Sequence, residues 1–432
     1  MTERPEEKAD RSRLLSAFQF GQTIAQNIRI KVVSDLFVKA GRFFLVVLAA
    51  RLLEPEQFGL YTWAFSLGNI LANVSDFGLQ VHLSREIAQH PEARSALLSQ
   101  AIRGKGILTG CALFALALLV FVYPRPWSVK FLLVLAAMAY LAVSWTELWN
   151  YFFRGMQQLG REARLNLGQM LLGASLAALL LVRGHGPAGL FVALLTAALI
   201  TTGLALRQIA SLGSLGANEH RPARIAVSRA APIGVAILLS ILYFRVDVFF
   251  LERMLGDTAV GAYGAAYRIL ESLLFVPAAF LAAIYPAFSE AVERGPERNK
   301  ELFRVSLLWM VSLSAVVVTG LVAFAPLIIG LLYGEAYAEA GPILRALAPS
   351  LLFIFPNYAL THFLIALQGQ KWNALFAGVC LAINAVGNVF AIARWGPVGA
   401  ALTTVLTEAT LFVLCWIAVR RRLDHGANQV RA

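Results

Sequence analysis

The chain has 432 residues, of which 59% are hydrophobic and 14% are charged, and its formal net charge is +12. A mean hydropathy of +0.68 excludes an ordinary soluble domain. The apolar stretches reach the roughly 20 residues that an α-helix needs to cross hydrocarbon, and they lack the alternating pattern of a transmembrane β-barrel. Composition therefore predicts an all-α polytopic membrane protein. Because no basic soluble module is visible, the positive charge does not predict nucleic-acid binding.

Hydrophobic segments predict about 12 transmembrane helices, at approximately 30–53, 58–84, 104–123, 129–152, 163–183, 187–209, 226–254, 259–289, 304–332, 342–368, 373–394 and 397–419. A charged segment, 1–29, precedes them, and residues 14–30 could form a helix on the cytoplasmic surface. The polar stretch 211–224 is a cytoplasmic linker between two six-helix lobes, 30–210 and 225–420. A basic cytoplasmic tail, 421–432, follows the second lobe.

Two short patterns recur in the second half of the chain. Arg51 and Leu53, followed by Gly59 and Tyr61, recur 202 residues later as Arg253, Leu255, Gly261 and Tyr263. Gly186-Pro187-Ala188-Gly189 recurs as Gly396-Pro397-Val398-Gly399. Six helices are an even number, so both halves enter the membrane from the same side. The chain is therefore predicted to hold a parallel repeat with a pseudo-two-fold axis along the membrane normal.

Basic residues are distributed unevenly over the predicted loops. With the N-terminus in the cytoplasm, 26 of the 37 Lys and Arg residues lie in cytoplasmic stretches, Lys105 among them, and 7 lie in the opposite loops. This positive-inside bias predicts that both termini are cytoplasmic. The cysteines, Cys111, Cys380 and Cys415, all fall in apolar segments and predict neither a disulfide framework nor a metal site.

Four basic residues remain inside predicted helices: Lys39, Arg42, Arg245 and Arg268. The three arginines are each about a dozen residues from a hairpin turn, or roughly 18 Å at the helical rise, and we expect them near mid-membrane. Such charges are costly in lipid, so they should line a cavity or form pairs. Arginine also suits phosphate, whose oxygens its planar group can bind bidentately.

Structural ion pairs are the alternative interpretation of these charges. The candidate pairs are Asp35 with Lys39, Arg268 with Glu271, and Asp247 with Arg268. Arg245 and Asp247 are two residues apart and point to different faces of a helix. After these pairings Arg42 and Arg245 are left without partners, so we expect at least one of them to contact a substrate.

Polar residues form a stripe along the second predicted helix, at Ser66, Asn69, Asn73, Asp76 and Gln80. Its spacing of three and four residues puts all of them on one face, which we expect to line a wet interior that recognises hydroxyl groups such as those of sugars. The eighth predicted helix has a comparable stripe at Tyr263, Tyr267 and Glu271. Hydrogen bonding between helices is the competing interpretation.

Patterns of catalytic chemistry are absent from the sequence. There is no Gly-rich phosphate loop with Lys-Ser/Thr, the six histidines have no metal-ligand spacing, and no long external loop is predicted. We therefore expect a protein that is not an enzyme and needs no cofactor. The short external loops also argue against a membrane glycosyltransferase, ligase or polymerase, and the mid-membrane charges against an inert scaffold.

Three motifs together indicate a family. Arg51-Leu52-Leu53-x4-Phe58-Gly59-Leu60-Tyr61 is followed by Ser75-Asp76-Phe77-Gly78-Leu79 and, in the second half, by Val260-Gly261-Ala262-Tyr263 running to Glu271. From about residue 30 onward the chain resembles polysaccharide biosynthesis proteins, the Wzx-type oligosaccharide flippases. That family shares a superfamily with the MATE-type drug/cation antiporters and the lipid II flippase.

The resemblance implies two six-helix lobes around a cavity walled by helices 1, 2, 7 and 8, in a bacterial-type cytoplasmic (inner) membrane. It implies translocation of a lipid-pyrophosphate-linked oligosaccharide to the outer leaflet, with membrane lipids, a polysaccharide polymerase and glycosyltransferases as partners. Arg42, Arg245, Lys39 and Arg268 would then hold pyrophosphate. Sugars would contact Asn69, Asn73, Asp76 and nearby tyrosines such as Tyr267, and Asp247 and Glu271 would also line the substrate cavity. Na⁺, H⁺ and the membrane potential are open as energy sources. A cation-coupled MATE-type multidrug exporter is the alternative.

Overall fold

The computed structural model describes residues 31, 33–214, 222–281, 284, 296–366 and 369–431, and these residues form helices and no strands. The predicted surface helix at 14–30 lies outside the described residues, as do residues 215–221 of the predicted linker. The helices are α1 (33–52), α2 (Pro55–Asp76), α3 (Leu79–Gln89), α4 (Arg94–Val122), α5 (Trp127–Gly155), α6 (Leu159–Val182), α7 (Gly186–Ser211), α8 (Ala223–Leu255), α9 (Asp257–Leu273), α10 (Pro296–Tyr333), α11 (Ala340–Leu347) and α12 (Leu351–Ala366), followed by the stretch Gln370–Arg431.

The last helical stretch, Gln370–Arg431, is divided at Gly396 (φ 60°, ψ −143°), and we name its two parts α13 (370–395) and α14 (397–431). Within the described residues, nine helices are long and apolar enough to cross a membrane, and one of them contains both α13 and α14. The polar α2 and the charged α1 are helical but are not among the nine. The all-α polytopic class is confirmed, whereas a total of twelve crossings stays a prediction.

The second predicted segment, 58–84, is wrong as a single helix. Helix α2 ends at Asp76, because Phe77 (φ 43°) and Gly78 (φ 78°) adopt the left-handed conformation. The Asp76 carboxylate accepts hydrogen bonds from the backbone N–H groups of Gly78 and Gln80, each at 3.2 Å. These bonds satisfy donors at the start of α3, so the break is stabilised by the residue that ends α2.

Helix packing is mostly within each half of the chain. In the first half α2 packs on α5, and α7 on both α5 and α6; in the second half α8 and α12 pack on the stretch Gln370–Arg431. Between the halves, α2 packs along α9, while α2, α3 and α4 contact α8. The interface between the halves is therefore formed mainly by α2, α8 and α9 over the described residues.

Two glycines of the repeated pattern meet at this interface. A Cβ atom on Gly59 would overlap the carbonyl oxygen of Asp257, and a Cβ atom on Gly261 would overlap that of Pro55. Pro55 and Asp257 are themselves 202 residues apart, as are the two glycines. The contact is therefore reciprocal, which is the geometry that a two-fold axis between the halves would produce. It also explains why both positions need glycine, since only hydrogen fits there.

The second repeated pattern has a glycine with positive φ in both copies. Gly186 has φ 57° and Gly396 has φ 60°, and each precedes a proline in the first turn of a helix. Proline is well suited to the first turn of a helix, where its missing N–H is not needed. The two copies thus share a positive-φ glycine and a proline at the start of α7 and of α14.

Ion pairs close one end of the interface, which we call the α1–α2 turn end. Arg125, in the loop between α4 and α5, binds Glu252 of α8, and its Nη atoms lie 3.1 Å from the carboxylate oxygens of Asp257 in α9. Tyr123 donates a hydrogen bond to Glu252. Burial, followed by this bond, raises the pKa of Tyr123 to about 12, so the hydroxyl remains a donor at neutral pH.

Two further contacts join the halves at the same end. Arg51 Nε donates a hydrogen bond to the carbonyl oxygen of Leu332 at 2.7 Å, and Tyr337 Oη donates one to that of Leu53 at 3.0 Å. Arg51 belongs to the repeated pattern, so part of that pattern serves contact between the halves.

Gly59→Ala should destabilise the closed α1–α2 turn end, because the added methyl group overlaps backbone atoms that cannot move without separating α2 from α9. We expect a loss of roughly 1–3 kcal/mol, the usual range for overpacking, measured as a lower thermal midpoint of the purified protein. Gly110→Ala in α4 is the matched control, since a Cβ atom there meets nothing within 4 Å. Equal midpoints for the two variants would contradict the assigned contact.

Candidate functional site

Two arginines and one carboxylate form a cluster inside the second half. Arg245 Nη2 in α8 lies 2.6 Å from Glu271 Oε1 in α9, and Arg268 Nη1 lies 2.7 Å from Glu271 Oε2. The predicted Arg268–Glu271 pair is therefore present. The expectation that Arg245 lacks a partner is wrong, because Glu271 has two carboxylate oxygens and bonds one arginine with each.

Phe65 of α2 connects this cluster to the first half of the chain. The guanidinium carbon of Arg268 lies 3.9 Å from the centre of the Phe65 ring, and that of Arg245 lies 4.6 Å from it. Both are cation–π distances, at which an aromatic ring attracts a cation. The two arginines of the second half thus rest on one aromatic side chain of the first half, and the site lies at the interface between the halves.

The cluster has unused capacity to bind an anion. Two guanidinium groups and one carboxylate leave one positive charge in excess. Arg268 Nη2 is buried and has no hydrogen-bond acceptor among the described residues. A buried donor without an acceptor is unfavourable, and a charged acceptor would satisfy it best. An anionic oxygen is therefore the group that this site can take up.

Arg42 and Lys39 differ from the cluster in their surroundings. Both side chains are exposed on α1, and among the described residues neither forms an ion pair. The charge of Arg42 acts on Tyr61 and Tyr140, and the charges of Arg245 and Arg268 act on the same two tyrosines. The three arginines that were predicted near mid-membrane therefore share these two tyrosines as electrostatic neighbours.

Asp35 does not form its predicted pair with Lys39. Its carboxylate oxygen lies 2.6 Å from Lys31 Nζ, which also lies 2.9 Å from Glu162 of α6. Lys39 is thus left available on the exposed face of α1.

Asp247 and Tyr267, two further candidates, are engaged in the packing of the second half. Asp247 is buried, accepts a hydrogen bond from the backbone N–H of Val248 at 2.8 Å, and accepts another from Tyr263. The Tyr267 ring stacks on Tyr263 at 5.6 Å and faces Arg245 at 6.0 Å. Asp247 therefore bonds to Tyr263 rather than to Arg268, on the opposite face of α8 from Arg245.

The polar stripe of α2 only partly matches its expected orientation. Ser66, Asp76 and Gln80 are buried inside the first half, where Gln80 Nε2 donates to the carbonyl oxygen of Ser144 in α5 at 3.0 Å. For these three residues the expectation of a wet interior is wrong, because protein groups supply their partners: the Thr62 carbonyl oxygen of α2 for Ser66, the α2–α3 break and Lys105 for Asp76, and α5 for Gln80. Asn69 and Asn73 are half-buried, and Asn73 Nδ2 donates to the Asn69 carbonyl oxygen at 2.8 Å.

Lys105 is a buried charge that the sequence analysis assigned to a cytoplasmic stretch. Helix α4 begins at Arg94, about ten residues earlier than predicted, so Lys105 lies about three turns into the helix instead of at its start, and it is fully buried. Its Nζ atom lies 3.6 Å from Asp76 Oδ1 and donates a hydrogen bond to Ser144 Oγ at 2.8 Å. The missed signal was Asp76 itself, since a carboxylate expected at membrane depth requires a cation.

Lys105→Met should strongly destabilise the protein, because it leaves the Asp76 carboxylate buried without a cation. Removing one partner of a buried ion pair typically costs about 3–5 kcal/mol, whereas replacing both partners often costs little. The double variant Lys105→Met/Asp76→Asn should therefore recover much of the lost thermal stability. Additive losses in a double-mutant cycle would show that the two side chains do not interact.

Solved structures of several membrane transporters are similar to this one. The lipid II flippase MurJ in an inward closed conformation superposes with a TM-score of 0.71, at 14% identity over 90% of this chain and 87% of that one. An inward-facing multidrug resistance MATE family transporter gives 0.68, at 16% identity over 94% and 99%. A MOP superfamily transporter from Pyrococcus furiosus gives 0.67, at 17% identity over 93% and 95%. The fold is that of the MOP superfamily.

The family follows from sequence. The model of the family described as polysaccharide biosynthesis protein matches residues 24–292, more than half of the chain, and the MatE model matches residues 232–390. The chain therefore belongs to the polysaccharide biosynthesis protein family, and the resemblance indicated by its motifs is confirmed.

Two curated relatives match most of the chain. The probable low-salt glycan biosynthesis flippase Agl15 of Haloferax volcanii is 24% identical over 384 residues, which are 88% of this chain and 80% of the relative. The succinoglycan biosynthesis transport protein ExoT of Rhizobium meliloti is 25% identical over 421 residues, or 92% and 81% of the two chains.

Proposed function

We propose that this protein is a flippase for a polyprenyl-pyrophosphate-linked oligosaccharide, which it moves from the cytoplasmic to the outer leaflet for surface polysaccharide synthesis. The observation that carries the proposal is the Arg245–Glu271–Arg268 cluster, with its excess positive charge and its unsatisfied Arg268 donor. A pyrophosphate group supplies several charged acceptor oxygens, and arginine binds them bidentately. Relatives described as a glycan biosynthesis flippase and a succinoglycan transport protein support the same substrate class.

Glu271 has a specific part in this mechanism. It is the resident anion that holds both arginines while the site is empty, and the substrate pyrophosphate competes with it for their donors. Exposed Arg42 and Lys39 add positive charge where the substrate enters, and half-buried Asn69 and Asn73 are available to sugar hydroxyl groups. The lipid tail stays in the bilayer throughout.

In alternating access, the ion pairs of Arg125 would hold the outer end closed until the lobes rock. The positive-inside distribution assigns the α1–α2 turn end to the outer side of an inner membrane, with both chain termini in the cytoplasm. In the state described here, Arg125 and the Gly59–Gly261 contact close that outer end. Rocking of the two lobes would break these contacts and release the substrate outward. A polymerase and glycosyltransferases are the partners that such a substrate requires.

A MATE-type exporter of organic cations is the second candidate, favoured by the MatE match over residues 232–390. The charge of the interface argues against it, because an organic cation would meet two arginines and only one carboxylate. Transport of a cationic dye by purified protein in liposomes distinguishes the candidates, and it is expected only of the exporter.

Replacing Arg245 or Arg42 by Ala should abolish glycan export, because each change removes a donor and a positive charge from the proposed pyrophosphate site. The measurement is surface polysaccharide in a strain that lacks the wild-type gene, together with cytoplasmic accumulation of the lipid-linked oligosaccharide. Arg245→Lys should give an intermediate defect, since lysine keeps the charge and loses the planar fork.

Arg183→Ala is the matched control for this experiment, since Arg183 is exposed at the end of α6, away from the cluster. It should leave export unchanged, and all variants must reach the membrane at equal levels. Wild-type export by both Arg245→Ala and Arg42→Ala would rule out the proposed pyrophosphate site.

A further inference from the structure

A carboxyl group without a cation lies inside the second half of the chain. Glu408 of α14 is 1% exposed, and Asn357 Nδ2 of α12 donates hydrogen bonds to its Oε2 at 2.9 Å and to its backbone oxygen at 3.1 Å. Among the described residues, no arginine, lysine or histidine forms an ion pair with it. Asp76 and Glu271, by contrast, each contact a cation. Asp247 is also buried without an ion pair among the described residues, but both of its carboxylate oxygens accept hydrogen bonds.

The titratable side chains that interact with Glu408 are tyrosines and cysteines, whose ordinary pKa values lie above neutral pH. They are Tyr243 of α8, Tyr267 of α9, Tyr358 of α12, Cys380 of α13 and Cys415 of α14. An ionised carboxylate at this position would therefore have no counter-ion among the described residues of the membrane-spanning bundle. Such an ion costs several kcal/mol to bury, and neutralisation by a proton removes that cost.

Two unsatisfied oxygen atoms belong to the same pair of residues. Glu408 Oε1 and Asn357 Oδ1 are both buried and have no hydrogen-bond partner among the described residues. Both are acceptors, so neither can satisfy the other while Glu408 is ionised. A proton on Glu408 Oε1 would make that atom a hydrogen-bond donor. The vacant acceptor, Asn357 Oδ1, belongs to the same amide whose Nδ2 already donates to Glu408 Oε2. One proton would thus satisfy both oxygens, as in a paired carboxylic acid and amide.

We propose that Glu408 is a proton-binding site of this transporter. The proton comes from the aqueous phase, bonds to Oε1 of the carboxylate, and returns to the aqueous phase when the carboxyl group ionises. No other covalent bond of the protein forms or breaks. Ionisation removes the donor to Asn357 and creates a charge between α8, α12 and α14, so the two protonation states favour different packing of these helices.

A short path links this site to the arginine cluster. Tyr243 lies beside the Glu408 carboxyl group and precedes Arg245 by two residues on α8. A change in the packing of α8 at Tyr243 therefore acts on the helix that holds Arg245 against Glu271. Coupling of the proton to substrate movement rests on the proposed flippase function, whereas binding of the proton does not.

Infrared difference spectroscopy of the purified full-length protein in nanodiscs tests proton binding directly. The wild type should show the C=O band of a buried carboxylic acid, which shrinks as the pH is raised and is missing from Glu408→Gln. Glutamine is isosteric with the protonated acid and can bond to both atoms of the Asn357 amide, so we expect this variant to fold. Glu147→Gln, which changes a half-buried carboxyl group of the first half, is the matched control and should keep the Glu408 band.

Identical pH-dependent spectra for the wild type and Glu408→Gln would overturn the proposal. It would also be overturned if the wild type showed no carboxylic acid band at any pH at which the protein is folded. Glycan export tests the coupling separately: Glu408→Gln should lose the dependence of export on the pH gradient. If the wild type shows the band but export by Glu408→Gln is unaltered, the proton site is retained and its coupling to flippase function is rejected.

Discussion

An ionised side chain is not stable alone inside a membrane-spanning bundle, and much of this structure follows from that constraint. Several charged side chains of the described residues form groups that join different helices. Lys105 of α4 neutralises Asp76 at the α2–α3 break, and Lys31 and Arg154 share Glu162 of α6. Glu271 joins the arginines of α8 and α9. Each group fixes the rotation of its helices, because the charged side chains must face one another.

The departures from this rule are the positions with functional consequences. The arginine cluster has one positive charge too many, Arg268 has a donor without an acceptor, and Glu408 has a carboxyl group without a cation. The first two features favour the binding of an anion, and the third favours the binding of a proton. They lie on or beside α8 and α9, the helices that meet α2 across the interface. Substrate binding and proton binding would therefore act on the helices that must move if the two halves rock against each other.

Helix periodicity and the cost of buried charge predicted much of this arrangement from sequence. They predicted the helical class and the Arg268–Glu271 pair, which is local to one helix. The common membrane depth of Arg42, Arg245 and Arg268 stays a prediction. Periodicity and the cost of buried charge could not give contacts between helices. The Arg245–Glu271 bond and the Phe65 ring between the arginines depend on the relative rotation of α2, α8 and α9, which no single segment encodes. The break after Asp76 was missed for a different reason. The predicted segment 58–84 is continuous across Phe77 and Gly78, whose positive φ angles end the helix.

Equilibrium binding of an isoprenoid pyrophosphate to the purified protein tests the central claim most directly. Farnesyl pyrophosphate is a soluble probe that has the proposed anionic group, and farnesol has the same chain without it. The excess positive charge of the cluster predicts that the wild type binds farnesyl pyrophosphate more tightly than farnesol. Arg245→Gln should weaken that binding at least tenfold, or by about 1.4 kcal/mol, and leave farnesol binding unchanged. Equal affinities for the two ligands, or unaltered pyrophosphate binding by Arg245→Gln, would contradict the account.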